Sequence, residues 1–262
     1  MIPADNISRL TGRIYDYLWR SDAIPMVRLR DLLAEHFDSV GPAAIVGGLV
    51  RDLAMKGTAG FRSDIDLVID APVDRVDRLA TSLAATPNRF GGYSAVTPHW
   101  KIDFWALSNT WAAAVGLVEV RSFADMVDTT FFDCDAICYE TQRPRRMHAI
   151  DGYLEGLRDR RLEINLLPNP SIDGNLLRAA RRLLLWGFQP GERLRAFIAR
   201  ELNEESYGRM ADVEGRLYQN PILDTFGTAR RLASALLDGG EPSRFPAFGE
   251  QLGLPGLQGD GE

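Results

Sequence analysis

The chain has 262 residues, is 45% hydrophobic and 25% charged, and carries a formal net charge of −6 with two cysteines. These values describe a globular chain of one to two domains and exclude a disulfide scaffold. An acidic balance gives no global attraction to nucleic acid, so any contact with phosphates must come from a local patch.

With no signal-like N-terminus and no long apolar span, a cytoplasmic protein with reduced thiols and no membrane association is expected. Ile7 to Trp19 and Met26 to Phe37 carry apolar residues at helical spacing and are expected to pack on a sheet that follows. That sheet opens at Ala43 to Val46, a short apolar run that reads as a buried strand. Gly47-Gly48 breaks it, Leu49 to Lys56 has helical periodicity, and Gly57 offers a stop. After a Gly-rich turn, Ser63-Asp64-Ile65-Asp66 leads into a second strand, Ile65 to Ile69.

A strand that ends in two glycines and opens a helix lets bare backbone N–H groups approach an anion. Asp64 and Asp66, two apart on a strand, point to one face. Paired carboxylates repel unless a cation lies between them, and hard oxygen donors beside a phosphate cradle suit Mg²⁺. Each half of this pattern is common on its own, as a turn or as surface charge; their order and spacing make the combination specific to nucleoside triphosphates.

Asp74 to Ala85 reads as a further helix, and Tyr93 to Val96 and Trp100 to Leu107 as two strands joined at Thr97-Pro98-His99. In Lys101-Ile102-Asp103-Phe104-Trp105 an acid interrupts an apolar and aromatic strand, and such a carboxylate needs a partner. Either Lys101 on the same face or the cation of Asp64 and Asp66 would serve. Cys134 and Cys138 lack a second Cys/His pair nearby and read as buried small hydrophobes rather than metal ligands.

Gly47-Gly48-x-Val50-Arg51-Asp52 followed by Asp64-Ile65-Asp66 resembles the head signature of the DNA polymerase β-like nucleotidyltransferases. The branch it is most similar to holds the bacterial CCA-adding tRNA nucleotidyltransferases and poly(A) polymerases. The resemblance implies an α+β head, a small mixed sheet with flanking helices, followed by a helical neck and C-terminal domain. It implies that Gly47 and Gly48 hold the triphosphate, that Asp64 and Asp66 bind Mg²⁺, and that Asp103 is the third, strand-borne carboxylate. Arg51 and Asp52 would brace that loop beside the nucleotide.

Asp135-Ala136-Ile137-Cys138-Tyr139 stands where the family reads N-A-M-A-Y near the sugar and phosphates. Asp135 would then be a fourth acid near the metal or an acceptor for ribose hydroxyls. Thr129, Thr130 and Phe131 replace the family's R-R-D, so a cationic contact is lost. Leu176 to Phe188 resembles the neck helix, with Pro168 and Pro170 before it, Asp173 as its cap, and Arg178 and Arg181 left to contact the nucleotide. The two base-reading positions hold Ile172 and Asn175, so accurate C-C-A addition is not expected.

Between Thr141 and Arg182 arginines outnumber acids nine to five. Arg143, Arg145 and Arg146 are either a solvated face or the contacts of a polynucleotide acceptor. The expected organisation is a head over 1–140, a helical neck and C-terminal domain over 141–238 with two or three helices after Glu192, and an irregular tail over 239–262. The expected reaction is NMP transfer from an NTP to a hydroxyl, with a tRNA-like RNA 3′ end as the favoured acceptor. A protein or small-molecule acceptor stays open, as does a catalytically weakened nucleotide-binding or antitoxin-like protein with a protein partner.

Overall fold

The computed structural model describes residues 3–57 and 64–238. The Gly-rich turn with Ser63, and the tail from Gly239, lie outside the described residues. The chain forms two compact units, Met1–Arg158 and Asp159–Glu262.

The first unit is built on a seven-stranded mixed sheet. Its strands in chain order are β1 (Ala43–Val46), β2 (Ile65–Ile69), β3 (Thr86–Pro87), β4 (Tyr93–Val96), β5 (Lys101–Ala106), β6 (Ile137–Glu140) and β7 (Met147–Ala149). Across the sheet they run β3-β4-β5-β2-β1-β6-β7. Only β2 and β5 pair in parallel; the other neighbours are antiparallel. The arginine-rich stretch after Glu140 therefore begins inside this unit, because β7 completes the sheet beside β6.

Strand alternation divides the sheet's residues between two faces. Ile45, Leu67, Phe104 and Tyr139 are register partners on one face. Phe37 closes edge-on against Phe104 there, with ring centroids 5.5 Å apart. It ends α2 (Ile24–Leu32), which runs on through a π turn over Leu33–Phe37. The preceding α1 (Ile7–Tyr15) likewise continues through a π turn over Asp16–Arg20.

Side-chain bonds to backbone fix these helices. Arg13 donates to the Leu53 carbonyl at 2.9 Å, Arg30 to those of Leu18 and Ser21 at 2.8 Å, and the Trp100 indole to Pro25 at 2.7 Å. The Leu53 carbonyl belongs to α3 (Gly48–Lys56), so α1 is tied directly to the helix that leaves Gly47. The opposite face carries Ala44, Val68 and Cys138, covered by Leu107, Phe123 and Met126 from the irregular chain between β5 and β6. Cys134 and Cys138 are buried thiols. α4 (Val73–Ser82), the short α5 (Trp111–Ala114) and α6 (Tyr153–Arg158) complete the unit.

The second unit holds a parallel pair, β8 (Arg161–Leu162) with β9 (Gln189–Pro190), and four helices. These are α7 (Ile172–Trp186), α8 (Glu192–Glu201), α9 (Glu204–Leu217) and α10 (Ala229–Leu237). The cap of α7 is Ser171, whose Oγ accepts from Gly174 N, and this corrects the expectation of Asp173. Ser171 is extended and stands just after Pro170, so the helix starts two residues early, and Asp173 instead holds Arg209 of α9 with both oxygens. Among the described residues, no helix is long and apolar enough to cross a membrane.

Candidate active site

Strand β1 ends against a backbone that only glycine adopts readily. Gly47 has φ 59° and ψ −112°, its N–H bonds to Ile137 O at 3.1 Å, and among the described residues no atom lies within 4 Å of where a Cβ would be. The first intrahelical bond of α3 is Arg51 N to Gly47 O at 2.9 Å, and no side chain caps the helix. The N–H groups of the first turn, Gly48 to Val50, therefore have no intrahelical acceptor, and the helix dipole lies behind them.

The carboxylates stand next to that turn. Val46 is in register with Asp66, and Asp66 with Asp103 across the parallel β2–β5 pair. Asp64 precedes β2 by one residue. Lys101 joins the outer two, its Nζ lying 2.6 Å from Asp64 Oδ2 and 3.1 Å from Asp103 Oδ2. The Ser94 hydroxyl, opposite Asp103 on β4, donates to Asp103 Oδ1. Of the two sequence readings of the Asp103 partner, the structure shows the bond to Lys101; Asp66 stands directly beside it.

The electrostatics show a site short of positive charge. The Asp66 carboxyl is pushed up to about 7 by burial, then by the neighbouring charges of Asp103 and Asp64, which Lys101 only partly offsets. Burial disfavours the Lys101 ammonium, but bonds to and charges of Asp64 and Asp103 outweigh it and hold it above its ordinary range.

Arg51 is buried and forks between two acids: Nε and Nη2 hold Asp52 Oδ1 at 2.9 and 2.8 Å, and Nη1 holds Asp135 Oδ1 at 2.5 Å. Burial opposes its charge, and Asp52 and Asp135 more than restore it. Asp135 thereby reaches the same corner from the turn before β6, and its charge is felt at Asp66. Among the described residues, five carboxylates, Asp52, Asp64, Asp66, Asp103 and Asp135, stand with two cations, Lys101 and Arg51. When all are ionised, such a corner repels a triphosphate unless further cations accompany it.

The donors suit Mg²⁺ in kind, being hard oxygens on adjacent strands. Among the described residues, however, no three acidic, His or Cys side chains already converge to hold a metal ion. Lys101 bridges the two outer carboxylates, and a divalent ion taking both would have to draw them away from it.

The remaining sequence candidates fall elsewhere. In the second unit Arg178 is exposed and bonds Asn175 Oδ1 at 2.7 Å. Arg181 is buried there, paired with Glu214, bonded to Asn220 O at 3.2 Å and stacked 3.8 Å over Tyr218. Its guanidinium anchors α9 and the loop after it. Thr129 and Thr130, where the family has arginines, bond carbonyls of their own turn.

Arg143, Arg145 and Arg146 follow β6 at its far end: Gly47 N meets Ile137 O at one end, and Thr141 N meets Ala43 O at the other. The four residues of β6, at about 3.3 Å each, set these arginines at least about 13 Å along the strand from Asp135. Sequence reasoning passed over Lys101 as a site residue, although its spacing of two from Asp103 placed both on one face. It also missed Ser94, which only the β4–β5 register reveals.

No family model matches the sequence, and no curated protein is similar to it. Solved structures do match. They include the Thermotoga maritima CCA-adding enzyme complexed with tRNA, at 18% identity and TM-score 0.54, over 90% of this chain and 56% of that one. A CCA-adding enzyme with ATP matches at 17% identity and TM-score 0.54, over 85% and 54% of the two chains. A tRNA nucleotidyltransferase with a primer tRNA and an incoming ATP analog matches at 20% and 0.50, over 75% and 59%. The fold is that of the CCA-adding nucleotidyltransferases. At these identities the likeness is one of fold, and this chain spans little more than half the length of the structures it matches. Within the nucleotidyltransferase fold the strand, the two glycines and the three aspartates form one corner of the sheet, and Lys101 ties two of those aspartates together.

Proposed function

We propose that this chain is a metal-dependent nucleotidyltransferase that moves a nucleoside monophosphate from an NTP to a hydroxyl of an RNA acceptor. The observation that carries the reading is the side-by-side register of Asp66 and Asp103 next to the uncapped α3 N-terminus at Gly47. Asp64, Asp66 and Asp103 would hold Mg²⁺, which when bound neutralises the triphosphate and lowers the pKa of the attacking hydroxyl.

The amides of Gly48, Leu49 and Val50 would receive the phosphate tail. Arg51, locked between Asp52 and Asp135, keeps that turn and the start of β6 in one position. In the reaction the acceptor oxygen bonds to the α-phosphorus, the bond to the β-phosphate oxygen breaks, and pyrophosphate leaves. An RNA acceptor is supported by the fold's likeness to enzymes seen with tRNA. Incubation with labelled NTPs, Mg²⁺ and total RNA should transfer label, and Asp64→Ala or Asp66→Ala should abolish it. A variant as active as the parent would remove these residues from the reaction.

A second reading, a nucleotide-binding or regulatory protein without catalysis, is favoured by Lys101 bridging Asp64 and Asp103. Under it NTP binds, and no label moves to RNA, protein or small molecule in a cell lysate.

A further inference from the structure

A second cationic cleft lies in the first unit, away from the aspartates. It has a volume of about 850 Å³ and is lined by α1, the π turn after it, Tyr139 of β6 and the β6–β7 turn. Tyr139 is in register with Ile45 and Leu67, whereas Asp66 is in register with Val46 and Cys138. Alternation therefore puts the cleft on the opposite face of the sheet from the carboxylates, and at the opposite end of β6.

Three guanidiniums and one carboxylate border the cleft: Arg20, Arg143 and Arg145 against Asp16. In a chain of net charge −6 this is a local reversal of sign. Arg145 lies 4.0 Å over the Trp19 ring and 5.7 Å from the centre of Tyr15, and Arg20 lies 5.3 Å over the same Tyr15. Arg145 also holds a left-handed backbone, φ 46°, a conformation unfavourable for a side chain of its size. The ion pair of Arg20 with Asp16 is exposed, a weak restraint.

The floor is Tyr139, fully buried. Its hydroxyl is buried beside Trp19 Nε1, whose N–H is directed at the phenol oxygen. The phenol proton is left without an acceptor among the described residues, which is rare for a buried donor.

We propose that this cleft binds a nucleoside phosphate, free or within a single strand of RNA. Guanidiniums supply charge to the phosphate, the ring of Tyr15 on the cleft wall suits a planar base, and the Tyr139 hydroxyl donates to an anionic oxygen. The size is that of a small-ligand site. The inference stands apart from the transfer reaction, because the cleft lies on the other face of the sheet and its binding is measured without a divalent ion.

The experiment measures binding of a fluorescent single-stranded RNA 12-mer, and separately of ADP, in EDTA at low salt. Arg143→Gln/Arg145→Gln should weaken binding tenfold or more and flatten the salt slope for RNA by about 1.4, at about 0.7 per phosphate. Because Arg145 packs on Trp19, a second pair guards against misfolding. Gly12, on the cleft wall, has nothing within 4 Å of its Cβ position, and a helix interior favours any other non-proline residue there. Gly12→Glu should weaken binding and Gly12→Lys should tighten it. Binding of RNA alone places the ligand in a strand, and equal binding of ADP makes it a free nucleotide. Affinity that ignores both sets of variants, no binding by the parent, or tighter binding of polyglutamate than of RNA would overturn the proposal.

Discussion

Lys101 reaches from the first residue of β5 to Asp64 at the head of β2, with Nζ 2.6 Å from Oδ2, and holds Asp103 with the same nitrogen at 3.1 Å. One ammonium thus neutralises part of a cluster whose third member, Asp66, stands in register with Asp103. A divalent ion held by Asp64 and Asp103 would compete with this lysine for the same oxygens.

Replacing Lys101 by Met should therefore destabilise the chain in EDTA and increase the gain from Mg²⁺. The side chains of the Lys101–Asp64 pair are 28% and 32% exposed, between the regimes of surface and buried pairs, so the loss should be about 1–2 kcal/mol. Urea unfolding of parent and variant, with and without Mg²⁺, measures both quantities. A variant as stable as the parent in EDTA, or blind to Mg²⁺, would show that Lys101 is not the resident counter-charge.

Asp66 gives the metal-free protein a definite pH dependence. Its folded carboxyl titrates at about 7 against 3.8 for the ordinary value, so the folded state binds the proton more tightly. The stabilisation is complete below pH 3.8 and is lost as pH rises through 7. Melting temperature in EDTA should fall across that window. Asp66→Asn should flatten the fall and be the more stable form at pH 8, while Mg²⁺ should reverse the slope in the parent alone. Parallel curves for parent and variant would assign the slope to another group.

The sequence was most legible where the site is contiguous. β1, the glycines, α3 and the Asp64-Ile65-Asp66 lead into β2 follow one another, and each has its own periodicity or break. Asp103 was legible because an acid interrupted an apolar strand. The rest depends on pairings that leave no local pattern. Arg51 meets Asp135 across 84 positions, and Arg181 meets Glu214 across 33. The cleft joins Tyr15 and Trp19 to Arg145 through strand order alone. The cap of α7 was misread because Ser171 and Asp173 are both good caps, and only the extended backbone at Ser171 decides between them.

Arg181 and Glu214 should be a principal anchor of the helical unit. Glu214 is 0% exposed, pairs with Arg181 through one oxygen, and accepts from Ile222 and Leu223 N–H at 3.0 and 2.8 Å through the other. Glu214→Ala strands a buried guanidinium and two amides and should cost about 3–5 kcal/mol. Arg181→Met/Glu214→Leu should cost less than the sum of its single changes, because no lone charge stays behind. A denaturation cycle that gives simple additivity would show that the pair is not coupled.

Under the proposed function, base selection is a further test. In the family the chain resembles, an acid and an arginine at the start of α7 pair with the base edges. Here those positions are Ile172, 45% exposed and without hydrogen-bonding groups in its side chain, and Asn175, 1% exposed with its Oδ1 bonded to Arg178. Neither presents a donor and acceptor pair that could separate one base from another, and discrimination of bases by hydrogen bonds needs such a pair. ATP, CTP, GTP and UTP, titrated with Mg²⁺, should bind within about tenfold of one another, roughly 1.4 kcal/mol. Converting Ile172 to Asp and Asn175 to Arg would restore both residue types, and the Arg would also have to leave the buried position that Asn175 fills. A thousandfold preference in the unaltered chain would show that another part of the protein reads the base.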